Sequence, residues 1–182
     1  MAIKFKEIRQ YLARNLKLSI CFEDGHYDDY LTRSDIPEGK YDDLYVYGIG
    51  KIDVEFSKDV YTAHQTNFAV KDIDLCPALE IVLWDRPRDD VPARKMEDVL
   101  KFEELRNYLQ IIGHYSVVLR QDWSEQAFDE RNDIPESYNG YYVYGIGLEE
   151  DPNVDDHFKG RGYDNSYTKR MVIVLSDQRR KV

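Results

Sequence analysis

The hexapeptide YVYGIG occurs twice in this chain of 182 residues, at positions 45–50 and 142–147. Sliding the sequence by 97 residues superimposes the two copies. The same shift aligns FKEIRQYL at 5–12 with FEELRNYL at 102–109, where five of the eight positions are identical. A six-residue identity embedded in a longer alignment indicates an internal repeat, and a repeat constrains the whole fold.

Two further blocks recur in the same order. DIPE is found at 35–38 and 133–136 with a shift of 98, and EIVLWD at 80–85 matches VIVLSD at 172–177 with a shift of 92. Ordered blocks with small length changes between them predict a tandem duplication. We therefore expect two copies of one structural unit.

The duplication divides the chain into three parts. We predict a first unit at 1–85, a second unit at 98–182, and a charged linker at 86–97, RPRDDVPARKME, whose two prolines interrupt regular structure.

Each unit is predicted to contain one helix followed by three strands. Phe5, Ile8, Leu12 and Leu16 recur at helical spacing in the first unit, and Gly113 stands where a left-handed cap would end the second helix. An alternating strand, a polar loop leading to DIPE, a strand that begins with YVYGIG and an apolar strand around IVL complete the unit. The expected fold class is α+β: a tandem duplication of a helix-plus-three-strand unit, with an antiparallel or mixed sheet and helices on one face.

The glycines of YVYGIG are predicted to be structural. A phosphate-binding loop needs G-x-G-x-x-G followed by a helix, whereas Gly50 precedes the strand pattern KIDVEF and Gly147 precedes acidic residues. Glycines two positions apart in a strand favour a bulge, a sharp bend or close approach by the helix.

The formal net charge of −10 is unevenly distributed. Residues 21–60 carry four basic and eleven acidic side chains, and residues 121–158 carry one basic and eleven acidic side chains, whereas 1–20 and 159–182 are net basic. An acidic surface repels nucleic acid and speeds encounters with basic partners. The alternative is that the acidity only keeps the protein soluble.

No catalytic or metal-binding motif stands out. The polar stretch CFEDGHYDDY at 21–30 lacks the spacing of an EF-hand, and the second unit has no histidine in that place. His64 and His114 do not accompany a nucleophile signature, and the two cysteines fit neither a metal site nor a disulfide framework. We predict no catalytic residue, no metal and no cofactor.

Tyrosine is abundant, with 15 in the chain. Its side chain gives a large contact area at a small entropy cost, which suits interaction surfaces. The tyrosines of the predicted polar loops, Tyr27, Tyr30, Tyr41 and Tyr163, are predicted contact residues, whereas those of YVYGIG are expected to pack in the sheet.

The basic ends support an alternative function, in which a stripe of positive charge holds a phosphate backbone. The candidate residues for direct nucleic-acid contact are Lys4, Lys6, Arg9, Arg14, Lys17, Arg179, Arg180 and Lys181.

In FKEIRQYL, DIPE and the two YVYGIG blocks, the chain resembles small duplicated proteins of Gram-positive mobile elements and phages, a group that we associate with anti-CRISPR inhibitors of Cas9. The resemblance covers most of both units but supplies no functional motif, so it assigns no active residue. It implies a basic nucleic-acid-handling partner, because a Cas9-type channel is positively charged to hold a heteroduplex.

These observations predict a non-enzymatic acidic binding protein, cytoplasmic in a bacterial host because the N-terminus lacks the apolar region of a signal peptide. Its expected partner is a basic nucleic-acid-binding protein, with Cas9 and its guide RNA as the particular case. The acidic contact residues are predicted to be Asp28, Asp29, Asp42, Asp43, Glu149, Glu150, Asp151, Asp155 and Asp156. Direct nucleic-acid binding through the basic ends is the alternative, and an enzyme with a small substrate between the units is the third hypothesis.

Overall fold

The computed structural model describes residues 2–56, 74–92, 99–150 and 169–180, and the structural statements below concern these ranges. Each of the two similar units contains a short helix and a four-stranded sheet. The elements of the first unit are α1 (Phe5–Arg9), β1 (Leu18–Phe22), β2 (Tyr27–Tyr30), β3 (Tyr45–Phe56) and β4 (Asp74–Trp84). Those of the second unit are α2 (Phe102–Arg106), β5 (Ile112–Leu119), β6 (Glu125–Glu130), β7 (Tyr142–Glu150) and β8 (Lys169–Ser176).

The two sheets have the same mixed topology. Their strand orders are β2-β1-β4-β3 and β6-β5-β8-β7. In each sheet the two central strands run parallel, and each outer strand is antiparallel to its neighbour. The two units therefore correspond strand by strand, as the duplication inferred from the sequence predicts.

The prediction of three strands per unit is wrong, because each sheet has a fourth, outer strand. In the first unit this is β2, which was interpreted as part of an acidic polar loop and pairs with β1 from Leu18–Tyr30 to Cys21–Tyr27. An outer strand has only one hydrogen-bonded neighbour and can face solvent, so it does not need the apolar alternation that identifies inner strands. Asp28, Asp29, Tyr27 and Tyr30 therefore lie on a strand and not in a loop.

The helices are much shorter than their apolar spacing predicts. The pattern extends to Leu16, but α1 ends at Arg9 and the chain then becomes extended. Arg33 Nη1 donates to Leu12 O at 2.8 Å, so a side chain from a later segment satisfies a carbonyl beyond the helix end. The structure is mostly β, and the expected α+β arrangement with helices on one sheet face is not confirmed.

The segment after each helix joins the sheet of the other unit. Ile146 N donates to Tyr11 O at 2.8 Å, and Ala13 N donates to Ile146 O at 2.9 Å. The segment after α2 makes the same pair of bonds to Ile49 in β3. Both segments form parallel bridges, so each unit contributes one segment to the sheet of the other. We call residues 11–13 and 108–110 the exchanged segments.

YVYGIG lies at this junction in both units. The register shifts between Val46 and Gly48 in β3, and β7 has the same bulge one repeat later. A Cβ atom on Gly50 would lie 1.9 Å from the amide end of the Gln110 side chain, which would have to move to make room for it. The predicted bulge and close approach are confirmed, although the approaching chain is the extended segment after the helix of the other unit.

Both units contribute to one hydrophobic core. Phe5 and Ile20 of the first unit and Phe102 and Ile173 of the second are fully buried within it. Removing these side chains from water is the main favourable contribution to folding. The units are therefore packed together and not merely joined by a linker.

Gly113 does not cap a helix, contrary to the sequence-based prediction. It lies inside β5, where a Cβ atom would be 2.5 Å from the ring of Tyr115. The residue with a left-handed backbone is His114, with a φ of 48°, at the register shift between Ile112 and Tyr115.

The first residues of the predicted linker are anchored. Arg88 Nη1 donates to Tyr47 O at 2.8 Å and to Asn107 O at 3.1 Å, so it joins β3 to the end of α2. Residues 93–98 lie outside the described ranges. In the described part of the chain, we find no helix with the length and apolar character needed to cross a membrane.

Candidate partner-binding surfaces

Two acids predicted to bind a partner are paired with basic residues of the same unit. Asp43 Oδ1 accepts hydrogen bonds from Lys4 Nζ at 3.1 Å and from Lys6 Nζ at 3.3 Å. These contacts hold the pKa of Asp43 below its usual range. Asp42 lies 3.7 Å from Arg9 Nη1. The predicted acidic surface and the predicted basic stripe therefore partly neutralise each other.

Asp28 belongs to a hydrogen-bonded cluster on one side of the first sheet. Its Oδ2 accepts from Lys40 Nζ at 2.8 Å and from the hydroxyl of Tyr41, which also contacts the hydroxyl of Tyr30 at 2.6 Å. The ammonium of Lys40 and the Tyr41 hydroxyl lower the pKa of Asp28. The cluster stabilises the β1–β2 hairpin. It also leaves little of the negative charge of Asp28 available to a partner.

Two further predicted contact residues are engaged within the fold. Tyr41 is only 3% exposed, so its side chain offers little surface to a partner in this conformation. Asp29 is exposed, but its Oδ1 accepts from the hydroxyl of fully buried Ser19 at 2.7 Å. Tyr27 is 44% exposed and is the most accessible of the predicted tyrosines that the structure describes.

In the second unit, Glu149 lies in a partly buried cluster. Arg170 is only 5% exposed, and its Nε is 3.4 Å from Glu149 and its Nη1 3.5 Å from Glu125. Ser116 donates to Glu125 at 2.5 Å, which lowers the pKa of Glu125. Burial, followed by the repulsion of Glu125, raises the pKa of Glu149. Glu149 is thus shielded by the sheet.

Several predicted residues cannot be placed. Only the backbone of Glu150 is described. The predicted residues outside the described ranges are Asp151, Asp155, Asp156, Tyr163 and Lys181.

A set of acids that was not singled out from the sequence occupies the outer edge of the second sheet. We call Asp129, Glu130, Asp133 and Glu136 the acidic edge. All four are exposed, and within the described residues none forms a salt bridge with lysine or arginine. Asp129 lies 3.6 Å from His114 Nδ1, and the charge of Glu136 acts on the guanidinium of Arg106.

Two members of the acidic edge, Asp129 and Glu130, are specific to the second unit, whereas Asp133 and Glu136 repeat Asp35 and Glu38 of the first unit. Aligning the two DIPE blocks places Leu31 and Thr32 opposite Asp129 and Glu130. The only basic residue between positions 121 and 158 is Arg131, whose Nη1 donates to a backbone carbonyl of the same unit. Comparing the charges of the two repeats position by position would have identified Asp129 and Glu130 from the sequence.

Three of the predicted basic residues, Lys6, Arg9 and Arg180, line one surface recess. Lys4, Lys6 and Arg9 contact the acids described above, whereas Arg14 is exposed and Lys17 is half-buried. Arg179 and Arg180 lie beyond β8, and both line a recess of the second unit. Among the described residues, no three His, Cys, Asp or Glu side chains are grouped so as to hold a metal ion.

Comparison with known proteins gave no match: no family model, no curated protein and no solved structure is similar to this chain by the criteria applied.

Proposed function

We propose that this protein is a non-enzymatic inhibitor that docks the acidic edge of its second unit on a basic surface of a nucleic-acid-handling protein. The observation that carries the proposal is the contrast between paired and unpaired acids. Asp28, Asp42 and Asp43 form salt bridges with lysine or arginine of the same unit, whereas the acidic edge forms none with these residue types in the described part of the chain.

The acidic edge is well placed for electrostatic docking. Its carboxylates lie at the end of one outer strand and in the turns after it, and all four are exposed. Acids of the same sign that lie close together repel one another, and a basic partner relieves that repulsion.

The particular partner that we propose is Cas9 bound to its guide RNA. The support is the resemblance of the repeat blocks to proteins of mobile elements and phages, together with the positive charge of a Cas9 channel. An acidic protein can occupy such a channel in place of nucleic acid.

The proposal is tested by reversing the charge of the acidic edge. We would change Asp129, Glu130 and Glu136 to lysine and leave Asp133 in place, because its Oδ2 accepts a hydrogen bond from Glu130 N. The association rate with the Cas9–guide complex, measured by surface plasmon resonance, should fall by roughly ten-fold or more and lose most of its salt dependence. Inhibition of DNA cleavage should weaken in parallel.

The control variant carries the same change in net charge on another part of the surface. Asp85, Asp89 and Glu103 are exposed, and changing them to lysine should leave association nearly unchanged. Equal slowing of both variants would mean that only net charge matters and would contradict a defined docking edge. Absence of any binding to the Cas9–guide complex would exclude this partner.

A further inference from the structure

An open recess of about 610 Å³ lies on the second unit, away from the acidic edge. Its walls include the aromatic rings of Trp123 and Tyr144 and the guanidinium groups of Arg120 and Arg180. Within the described residues, no acidic side chain lines it. The recess is therefore a locally basic, aromatic site in an acidic protein.

The first unit fills the equivalent place with its own side chain. There the ring of Tyr47 stacks on Trp84 with centroids 3.8 Å apart and planes 19° from parallel. The repeat alignment replaces Trp84 by Ser176 in the second unit, so Tyr144 has no such indole beside it. The guanidinium of Arg120 lies 4.5 Å from the centroid of the Tyr144 ring. The duplication thus indicates that this site accommodates a planar ring.

Trp123 is held at the recess in an unfavourable backbone conformation. It is 68% exposed and has a φ of 57°. The equivalent residue in the β1–β2 turn is Gly25, with a φ of 84°, and both turns use the same pair of backbone hydrogen bonds. A bulky residue in this conformation is strained, and its exposure adds no packing energy to the fold. Stability alone would favour glycine, so the tryptophan has another role.

Arg180 also differs from its counterpart. Both arginines lie over a tyrosine ring, Arg88 over Tyr108 and Arg180 over Tyr11. Arg88 also donates to two backbone carbonyls and to Asp90, whereas Arg180 forms no salt bridge within the described residues. Its Nη1 is buried without a hydrogen-bond partner in the described part of the chain. A buried, unpartnered cationic donor is costly unless an acceptor joins it.

We propose that this recess binds one nucleotide of a single-stranded nucleic acid. The base stacks against Tyr144 and Trp123, and Arg120 and Arg180 bind the adjacent phosphates. Aromatic stacking combined with arginine is the chemistry by which proteins hold unpaired bases. The overall charge of −10 opposes long duplexes, so binding depends on stacking and on the local arginines.

An aromatic side chain of a protein partner could also enter such a recess, but the arginines favour the nucleotide. A nucleotide brings its negative charge next to the ring, where Arg120 and Arg180 are placed, whereas a protein side chain with an aromatic ring carries no such charge. This inference does not rest on docking by the acidic edge, and either can fail alone.

The test is fluorescence anisotropy with a short, labelled single-stranded RNA of mixed sequence and its DNA counterpart. Trp123→Gly introduces the residue that the first unit already uses, so the turn should remain intact. Ser176→Trp places the indole of the first unit in the recess. Each variant should weaken binding roughly ten-fold or more, because that is the usual effect of losing one aromatic ring on which a base stacks. The melting temperature of Trp123→Gly should be unchanged or higher, because glycine relieves the strained backbone.

A matched pair of variants tests the arginine. Arg120→Ala should weaken binding and reduce its salt dependence, whereas Arg86→Ala, which removes an exposed arginine beside Trp84 in the first unit, should not. Adenosine monophosphate should compete with the RNA more strongly than inorganic phosphate does. Absence of RNA and DNA binding, equal binding by Trp123→Gly and the wild type, or equal competition by phosphate would each overturn the proposal.

Discussion

Single residues explain why the acids of the first unit are poor candidates for a docking surface. Asp43 is paired with Lys4 and Lys6, and Asp28 is paired with Lys40. The pKa values of both acids are lowered, which means that these contacts favour the charged form of the carboxylate in the folded protein. Charge counted along a sequence therefore overestimates the charge that a partner meets.

The glycines of YVYGIG allow a matched test at the same scale. A Cβ atom on Gly50 would collide with Gln110, whose amide also contacts Lys51 N and Glu80, whereas a Cβ atom on Gly147 would lie at an ordinary 3.6 Å from Ala13. We expect Gly50→Ala to destabilise the protein by about 0.5–1.5 kcal/mol, because the end of the Gln110 side chain must move and loses these hydrogen bonds. Gly147→Ala should change stability by less than about 0.5 kcal/mol, or increase it slightly. Urea denaturation measures both, and equal effects would contradict the close approach at Gly50.

At the scale of elements, the exchanged segments after α1 and α2 hold the units together. Two tyrosine hydroxyls at their starts reach across the junction: Tyr11 accepts from Leu100 N at 3.1 Å, and Tyr108 accepts from Ile3 N at 3.2 Å. Both bonds are buried. In each unit, therefore, the tyrosine hydroxyl accepts a hydrogen bond from a buried backbone N–H of the other unit.

Removing one of these hydroxyls should be costly. Tyr11→Phe leaves Leu100 N buried without its partner, and we expect a loss of about 1–3 kcal/mol in the free energy of unfolding. Tyr47→Phe is the control, because its hydroxyl bond to Pro87 O is exposed and should contribute less than about 0.5 kcal/mol. Thermal or urea unfolding distinguishes the two, and a negligible effect of Tyr11→Phe would argue against the exchange.

At the scale of the whole molecule, the shared core and the exchanged segments predict one cooperative folding unit. Calorimetry should show a single unfolding transition with equal calorimetric and van't Hoff enthalpies. Leu12→Ala, at the bridge to Ile146, should lower the stability of both sheets together by about 2–5 kcal/mol. Two separate transitions, or a loss of protection from hydrogen exchange in only one sheet, would show that the units fold independently.

The sequence alone was sufficient for the duplication, the inner strands and the bulged glycine strand, because each leaves a local or repeated pattern. YVYGIG, FKEIRQYL and the apolar run IVL can be recognised without knowing what they touch. The outer strands β2 and β6 were missed because a solvent-facing strand has no need for an apolar alternation. The early end of α1 was missed because Leu12 pairs with a strand more than a hundred residues away.

Only the tertiary structure decided which charges and rings are available to a partner. Lys4 and Asp43 are 39 residues apart in sequence yet form an ion pair, and the recess at Tyr144 is open because Ser176 stands where the other repeat has a tryptophan. The sequence repeat predicts which helices and strands form, because hydrophobic patterning and intrinsic propensity depend on residues that are close together along the chain. Ion pairing and stacking depend on distances between side chains in space, and these distances exist only once the chain has folded.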